Sequence, residues 1–281
     1  MFKNQETMKT TKILSLLLFA IVLASCNQSK KENSPSEKAT MENPAEQEMS
    51  REYPEEMSQV FKTHGGMDTW NSMNTLKFEI VKPEGNESQV IDLKNRNTRI
   101  TTKEYAMGSD AEGVWVKNEA GEYKGNAEFY HNLMFYFYAM PFVLGDEGIN
   151  YENTEAITYE GTSYPGVRIS FNDGVGASPK DEYYLYYDQD FQMAWLGYTV
   201  TYQSGEPSDK ISMIKYEDWQ EVSGLKLPKT LSWYTYQDGV IGEKRNSVNF
   251  ANVFLSKEQM PKEEFKMPEG GKVFEKQAAA E

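Results

Sequence analysis

From Thr75 to Phe254 the chain alternates apolar and polar residues with a period of two, in short runs parted by turn residues. This pattern constrains the fold more than any other feature. "TLKFEIV" sets Leu76, Phe78 and Ile80 against Thr75, Lys77 and Glu79, as a half-buried strand requires. "VIDLKN", "TRITTK", "GVWVKN", "AITYEG", "VRISF", "DEYYLYYD", "AWLGYTVTYQ", "ISMIKYEDWQ", "KTLSWYTYQ" and "KRNSVNFANVF" read the same way. The segments between them, among them "SYPG", "NDGVG", "SGEPSD" and "QDGVIG", are rich in Gly, Asn, Asp and Pro, which permit or preset turn backbones. Strands joined by such short turns run antiparallel to their neighbours. The expectation is a mainly β fold (α+β) built on a long antiparallel meander. A sheet of roughly ten or more strands curls, and its apolar face needs a cover.

Helical periodicity appears in two places. "PEEMSQVFKTHGG" places Pro54 at a helix start, Glu55 and Glu56 in the first turn, and Met57, Val60 and Phe61 on one stripe, with Gly65-Gly66 as the stop. "MDTWNSM" reads as a short second helical turn anchored by Trp70. The other place is "FYHNLMFYFYAMPF", residues 129–142, where seven of fourteen residues are aromatic and none is charged. The uncharged run Leu133–Leu144 extends about 18 Å as a helix, too little for about 30 Å of hydrocarbon. With Asn126 as cap and Pro141 as stop, the segment reads as one helix over 127–143. At about 100° per residue, Phe129, Tyr130, Leu133, Met134, Phe137 and Met140 share one nearly pure hydrocarbon face. His131, Asn132, Phe135, Tyr136, Tyr138 and Ala139 share the other. Exposing six large side chains would forfeit roughly 1.5–3 kcal/mol each. The first face is therefore expected to meet the sheet, or a ligand held between sheet and helix.

The N-terminus carries an address. "MKTTKILSLLLFAIVLASC" has Lys9 and Lys12, an eleven-residue apolar core from Ile13 to Leu23, then small residues before Cys26, the one cysteine of 281 residues. Leu-Ala-Ser-Cys resembles a bacterial lipobox, which implies cleavage after residue 25 and lipid on Cys26. The alternative is an ordinary secretion signal with an incidental cysteine. Loss of residues 1–25 removes three lysines against one glutamate and takes the net charge from −14 to −16. Such acidity argues against a nucleic-acid partner. Residues 27–50 contain no aromatic, Val, Ile or Leu and read as a disordered tether. The organisation expected is a signal peptide at 1–25, the lipidated cysteine and tether at 26–50, and one domain over 51–281. Membrane attachment is expected through the Cys26 lipid alone.

Five stretches carry a family resemblance: "THGGMDTWNSM", "NLMFYFYAMPFVLGDEGINYE", "ITYEGTSYPGVRISF", "YYLYYDQDFQMAWL" and "YEDWQEVSGLKLPKTLSWY". With the lipobox and tether ahead of them, they resemble the periplasmic lipoprotein-carrier superfamily, the fold of LolA and LolB, and within it a family of Bacteroidota-type lipoproteins. The resemblance implies a curved half-barrel with helices on its concave face and an apolar cavity. It brings no catalytic signature, and a lipid-anchored chain is closer to LolB than to the soluble LolA.

The chemistry-bearing residues are sparse. His64 reads as a helix C-terminal residue, and His131 as a buried or rim histidine bonded to a tyrosine or backbone group. Neither has metal-ligand spacing. With Cys26 lipidated no thiol remains, and no GxSxG or GxxxxGK[ST] occurs. The acidic loops "GDEGIN" and "NDGVGASPKDE" lack the pattern of a calcium loop. No metal, cofactor or catalytic residue is expected. Eighteen tyrosines include "YYLYYD", with Tyr183, Leu185 and Tyr187 on one strand face and Tyr184 and Tyr186 on the other. These, with Trp115, Trp195 and Trp233, either line the hollow face or fill it. The leading expectation is a non-enzymatic, lipid-anchored protein of the cell envelope, in the outer membrane. It would hold a lipid or lipoprotein acyl chain, or another amphipathic ligand, against Phe129, Leu133, Phe137 and Met140. The alternative is a structural or adhesion lipoprotein with a dry-packed core, which contacts protein or glycan. A void of a few hundred Å³ under the helix separates the two.

Overall fold

Period-two alternation becomes strands wherever one face can be buried, and here it becomes thirteen in a single sheet. The computed structural model describes residues 52–118, 121–172, 174–176, 178–202 and 204–274. The signal peptide, Cys26 and the tether lie outside them. The described residues all fall in one compact unit.

Two helices come first, α1 (Glu55–Thr63) and α2 (Met67–Asn71). Met57, Val60 and Phe61 are buried, as the stripe requires. Gly65 ends α1 at φ 106°, and a Cβ there would lie 2.2 Å from the Gly224 carbonyl oxygen, so glycine serves both the backbone and the close approach. The first meander follows: β1 (Thr75–Ile80), β2 (Glu87–Asp92), β3 (Thr98–Thr101), β4 (Tyr105–Asp110) and β5 (Gly113–Asn118). After a helical crossing come β6 (Ile149–Tyr159), β7 (Thr162–Phe171), β8 (Tyr183–Tyr187), β9 (Met193–Tyr198) and β10 (Ser212–Glu217). A small separate hairpin, β11 (Gln220–Val222) with β12 (Leu225–Leu227), precedes β13 (Thr230–Gln237), β14 (Val240–Ser256) and the short β15 (Lys272–Val273).

The strand order is β15-β5-β4-β3-β2-β1-β14-β13-β10-β9-β8-β7-β6. This is the long antiparallel sheet expected, and it is built in two parts. Two meanders are joined by β14, seventeen residues long. Its first part pairs with β13, through Thr230↔Asn249, and its last part with β1, from Ile80↔Phe250 to Thr75↔Ser256. The sheet stays open, with β15 and β6 at its edges.

Its curvature follows from what touches what. From β2 to β6 there are eight strand gaps, about 38 Å if flat at about 4.8 Å each. Yet side chains from β1, β2, β6, β7, β8, β9, β10, β13 and β14 share one core with the helical segments. Tyr159 of β6 and Tyr234 of β13, five gaps apart in the order, bring their ring centroids within 5.7 Å, which only a curved sheet allows. On the opposite face, Trp195, Tyr186, Met213, Tyr234, Ile157 and Ile241 make a second, smaller cluster. "YYLYYD" divides between the faces as its alternation demands: Leu185, Tyr187 and Tyr183 join the main core, and Tyr186 and Tyr184 the outer cluster. Trp195 therefore belongs to the outer cluster, while Trp233 packs on the main core. Trp115 is fully buried and donates from Nε1 to the Phe265 carbonyl at 2.9 Å, in the segment that leads to β15.

Candidate functional site

The segment that crosses from β5 to β6 builds the site. It is not one helix over 127–143. It is two short helices, α3 (Ala127–Tyr130) and α4 (Leu133–Tyr138), and a 3₁₀ turn at Phe142–Gly145. Asn126 caps α3 by accepting from the Phe129 amide at 3.0 Å. His131 and Asn132 interrupt the helix, and the His131 ring bonds the Glu128 carbonyl through Nδ1 at 2.8 Å. His131 is thus half-buried and backbone-bonded, as expected.

The break reassigns the faces. A projection at constant pitch fails across two non-helical residues, and α4 emerges rotated. Phe135, Tyr138 and Ala139, assigned to the more polar face, are fully buried. Tyr138 packs between Phe78 and Phe250, with ring centroids 4.5 and 4.3 Å away. Phe129, Tyr130 and Leu133, assigned to the covered face, are half-exposed, while Phe137 and Met140 are buried.

Tyrosine hydroxyls hold this segment. Tyr216 donates to the Phe137 carbonyl at 2.7 Å, Tyr151 to that of Leu144 at 2.5 Å, and Tyr53 to that of Gly145 at 3.0 Å. Carbonyls at the ends of short helical turns have no helical partner, and phenols from β10, from β6 and from the chain just before α1 supply one. At the other end, the Tyr130 hydroxyl donates to Glu87, at 3.0 and 3.1 Å from its two oxygens. Glu87 is fully buried and also accepts from Lys82 Nζ and Gln89 Nε2, each at 2.7 Å. Burial and the Glu87 charge hold the Tyr130 phenol well above its ordinary range. Local periodicity gave no sign of this anchor, because Glu87 falls outside the run read as β2.

Between the crossing segment and the sheet edge lies a cavity of about 370 Å³. Phe129, Leu133, Phe137 and Met140 all line it. Val143, Leu144, Ile149 and Phe171 complete its apolar wall. Phe137 meets Tyr198 of β9 and Trp233 of β13, with centroids 4.9 and 6.1 Å away. The polar lining escaped the sequence reading, although its two loops were noticed as acidic. "GDEGIN" brings Asp146 and Glu147 to the cavity, and "NDGVGASPKDE" brings Asp181. Arg96 reaches in from the β2–β3 turn, with Nη2 at 2.7 Å from both Asp146 oxygens and its guanidinium 5.2 Å from the Phe135 ring centroid.

His64 stands elsewhere. It is the C-cap of α1, one residue beyond the last turn, and is completely buried. Its Nδ1 donates to the Val60 carbonyl at 2.7 Å, while Nε2 has no partner among the described residues. Among those residues no group of three or more His, Cys, Asp or Glu is placed to hold a metal ion. None of their helices is long and apolar enough to cross a membrane.

No protein-family model and no curated protein matches the sequence. Among solved structures, the chain is similar to a LolA superfamily protein from Nitrosomonas europaea, at 11% identity and a TM-score of 0.41, over 68% of this chain and 88% of that one. It is also similar to a DUF1329 family protein from Desulfovibrio piger, at 9% identity and a TM-score of 0.41, over 69% of this chain and 91% of that one. A domain described as outer membrane lipoprotein-sorting, from Vibrio parahaemolyticus, matches at 8% identity and a TM-score of 0.34, over 71% of this chain and 92% of that one.

Proposed function

We propose that the chain is a lipid-anchored, non-enzymatic protein of the bacterial cell envelope, in the outer membrane, that holds the apolar part of a lipid-like ligand in the cavity beside α3 and α4. One observation carries the reading. The apolar wall encloses about 370 Å³, within the range of about 300–1,000 Å³ typical of small-molecule sites. The lipobox ending in Cys26 and the polar tether support the anchor. Several acyl chains at about 0.8 kcal/mol per buried CH₂ make such attachment effectively permanent.

The ligand reading is tested on residues 51–281, which carry their own core. Native mass spectrometry before and after organic extraction looks for bound lipid, and uptake of the neutral dye N-phenyl-1-naphthylamine reports an accessible apolar cavity. The wild-type domain is expected to take up dye. Leu133→Ala is expected to weaken uptake about tenfold, as loss of one aliphatic contact worth about 1.5 kcal/mol implies. Because Leu133 is half-exposed, the variant keeps its fold, as circular dichroism would verify. Unchanged uptake in a folded Leu133→Ala protein contradicts the assignment. The anchor is tested separately in the full chain, where Cys26→Ser is expected to move the protein from the membrane to the soluble fraction. A Cys26→Ser protein that stays with the membrane removes lipidation as the mode of attachment.

A further inference from the structure

The polar end of the cavity is chemically lopsided. Four carboxylates, Glu128, Asp146, Glu147 and Asp181, line it against a single base, Arg96. Arg96 gives Nη2 to both oxygens of Asp146 at 2.7 Å, while its buried Nη1 has no hydrogen-bond partner among the described residues. Glu128, Glu147 and Asp181 form no ion pair among the described residues. Lys180, next to Asp181 in sequence, turns away to Glu206 at 3.3 Å and to the Gly205 carbonyl at 2.5 Å.

Aromatic rings stand beside these acids. Phe129 and Tyr202 pack with centroids 5.0 Å apart, and the Tyr202 hydroxyl donates to Glu128 at 3.1 Å. Tyr183 lies in the same lining as Asp181, with Phe171 5.7 Å from it. Carboxylates interleaved with aromatic faces recognise organic cations, which gain from both the opposite charge and the ring quadrupole. An anionic head would meet three carboxylates that have no ion pair, against one guanidinium salt-bridged to Asp146. Burial also raises the Asp181 carboxyl above its ordinary range, although the Thr201 amide at 2.6 Å pulls it back. This carboxyl lacks a cation.

We infer that the cavity takes an amphiphile with a cationic head, an amine or quaternary ammonium, set against the acids and aromatic rings at its polar end. The inference rests on the cavity being a ligand site, and the experiment separates the two ideas. Three ligands with the same ten-carbon chain, decanol, decyltrimethylammonium and decanoate, displace the neutral dye from residues 51–281 at low ionic strength. Displacement by decanol upholds the cavity alone. Decyltrimethylammonium is expected to displace the dye at about tenfold lower concentration than decanoate, a modest Coulombic bias for a partly solvated site.

The chain's net charge of −14 favours any cation, so location is decided by substitution. Asp181→Asn keeps an oxygen for the Thr201 amide, and Glu147→Gln changes an exposed side chain. Each is expected to narrow the ratio of decanoate to decyltrimethylammonium displacement concentrations severalfold. Glu243→Gln removes the same charge from the exposed β13–β14 hairpin, outside the lining, and is expected to leave the preference intact. Equal or tighter binding of decanoate, or an equal effect of Glu243→Gln, overturns the cationic head. Failure of all ligands and of the dye to bind overturns the cavity reading and the inference with it.

Discussion

Phe135→Ala is expected to cost about 3–5 kcal/mol, the range for truncating a fully buried phenylalanine, whereas Leu133→Ala, two residues earlier, should cost less than about 1 kcal/mol. Phe135 is completely buried, its ring lies 5.1 Å from that of Tyr136, and the Arg96 guanidinium sits 5.2 Å from its centroid. Its loss opens a void and leaves Arg96 without its aromatic neighbour. For a unit of this size the melting temperature should fall on the order of 10 °C. Leu133 borders the cavity and is half-exposed, so its methyl groups already face open space. The ordering is diagnostic. A continuous helix over 127–143 would turn Leu133 to the core and Phe135 away from it, and would predict the reverse. Thermal and urea unfolding of the two variants decide between them. Equal destabilisation by both would contradict the break at His131–Asn132.

That reversal shows where sequence reasoning stops. The alternation in β1 or in "YYLYYD" is local, and the sheet realises it face by face. Phe129, Leu133, Phe137 and Met140 border one cavity although they lie in α3, in α4 and beyond it. Their neighbours' burial was not legible, because it depends on a two-residue break whose reason lies in tertiary packing. β4 was hidden for a related cause. "YAMGSD" lacks an apolar alternation because position 108 admits no side chain: a Cβ there would lie 2.3 Å from the Thr98 carbonyl oxygen and 2.7 Å from the Trp115 ring. The residue that blurs the pattern is the one packing requires. The place of β14 between β1 and β13 joins positions such as Thr75 and Ser256, a pairing that no local period encodes. The polar end of the cavity was equally non-local. Arg96, Asp146 and Asp181 come from three turns and meet only once the sheet has curled.

His64 gives the second large effect, and it appears only in acid. An imidazole in water takes up a proton near pH 6.5. In the folded chain burial is the main cause that holds the His64 value down to about 4, helped by the Lys226 charge and opposed by the Val60 hydrogen bond and by Asp188. Between those two values the unfolded chain binds a proton that the folded chain refuses. Stability must therefore fall as pH drops through the window, by about 1.4 kcal/mol per pH unit and about 3 kcal/mol in all. Above about pH 6.5 the residue contributes no slope. A phenylalanine is the informative replacement. The His64 ring meets Trp219 edge-on at 4.6 Å and Phe142 at 6.4 Å, contacts that a phenyl ring keeps. The Val60 carbonyl still accepts the residue-64 amide at 3.2 Å, and the unpartnered Nε2 disappears. His64→Phe is therefore expected to match or exceed wild-type stability at neutral pH. Its advantage should widen by up to about 3 kcal/mol as the pH falls towards 4. Urea unfolding of both proteins at several pH values from 7.5 to 4 measures that difference and cancels the carboxylate titrations they share. Parallel stability curves would mean that His64 protonates in place, and that the contact of α1 with Trp219 yields more readily than its packing implies.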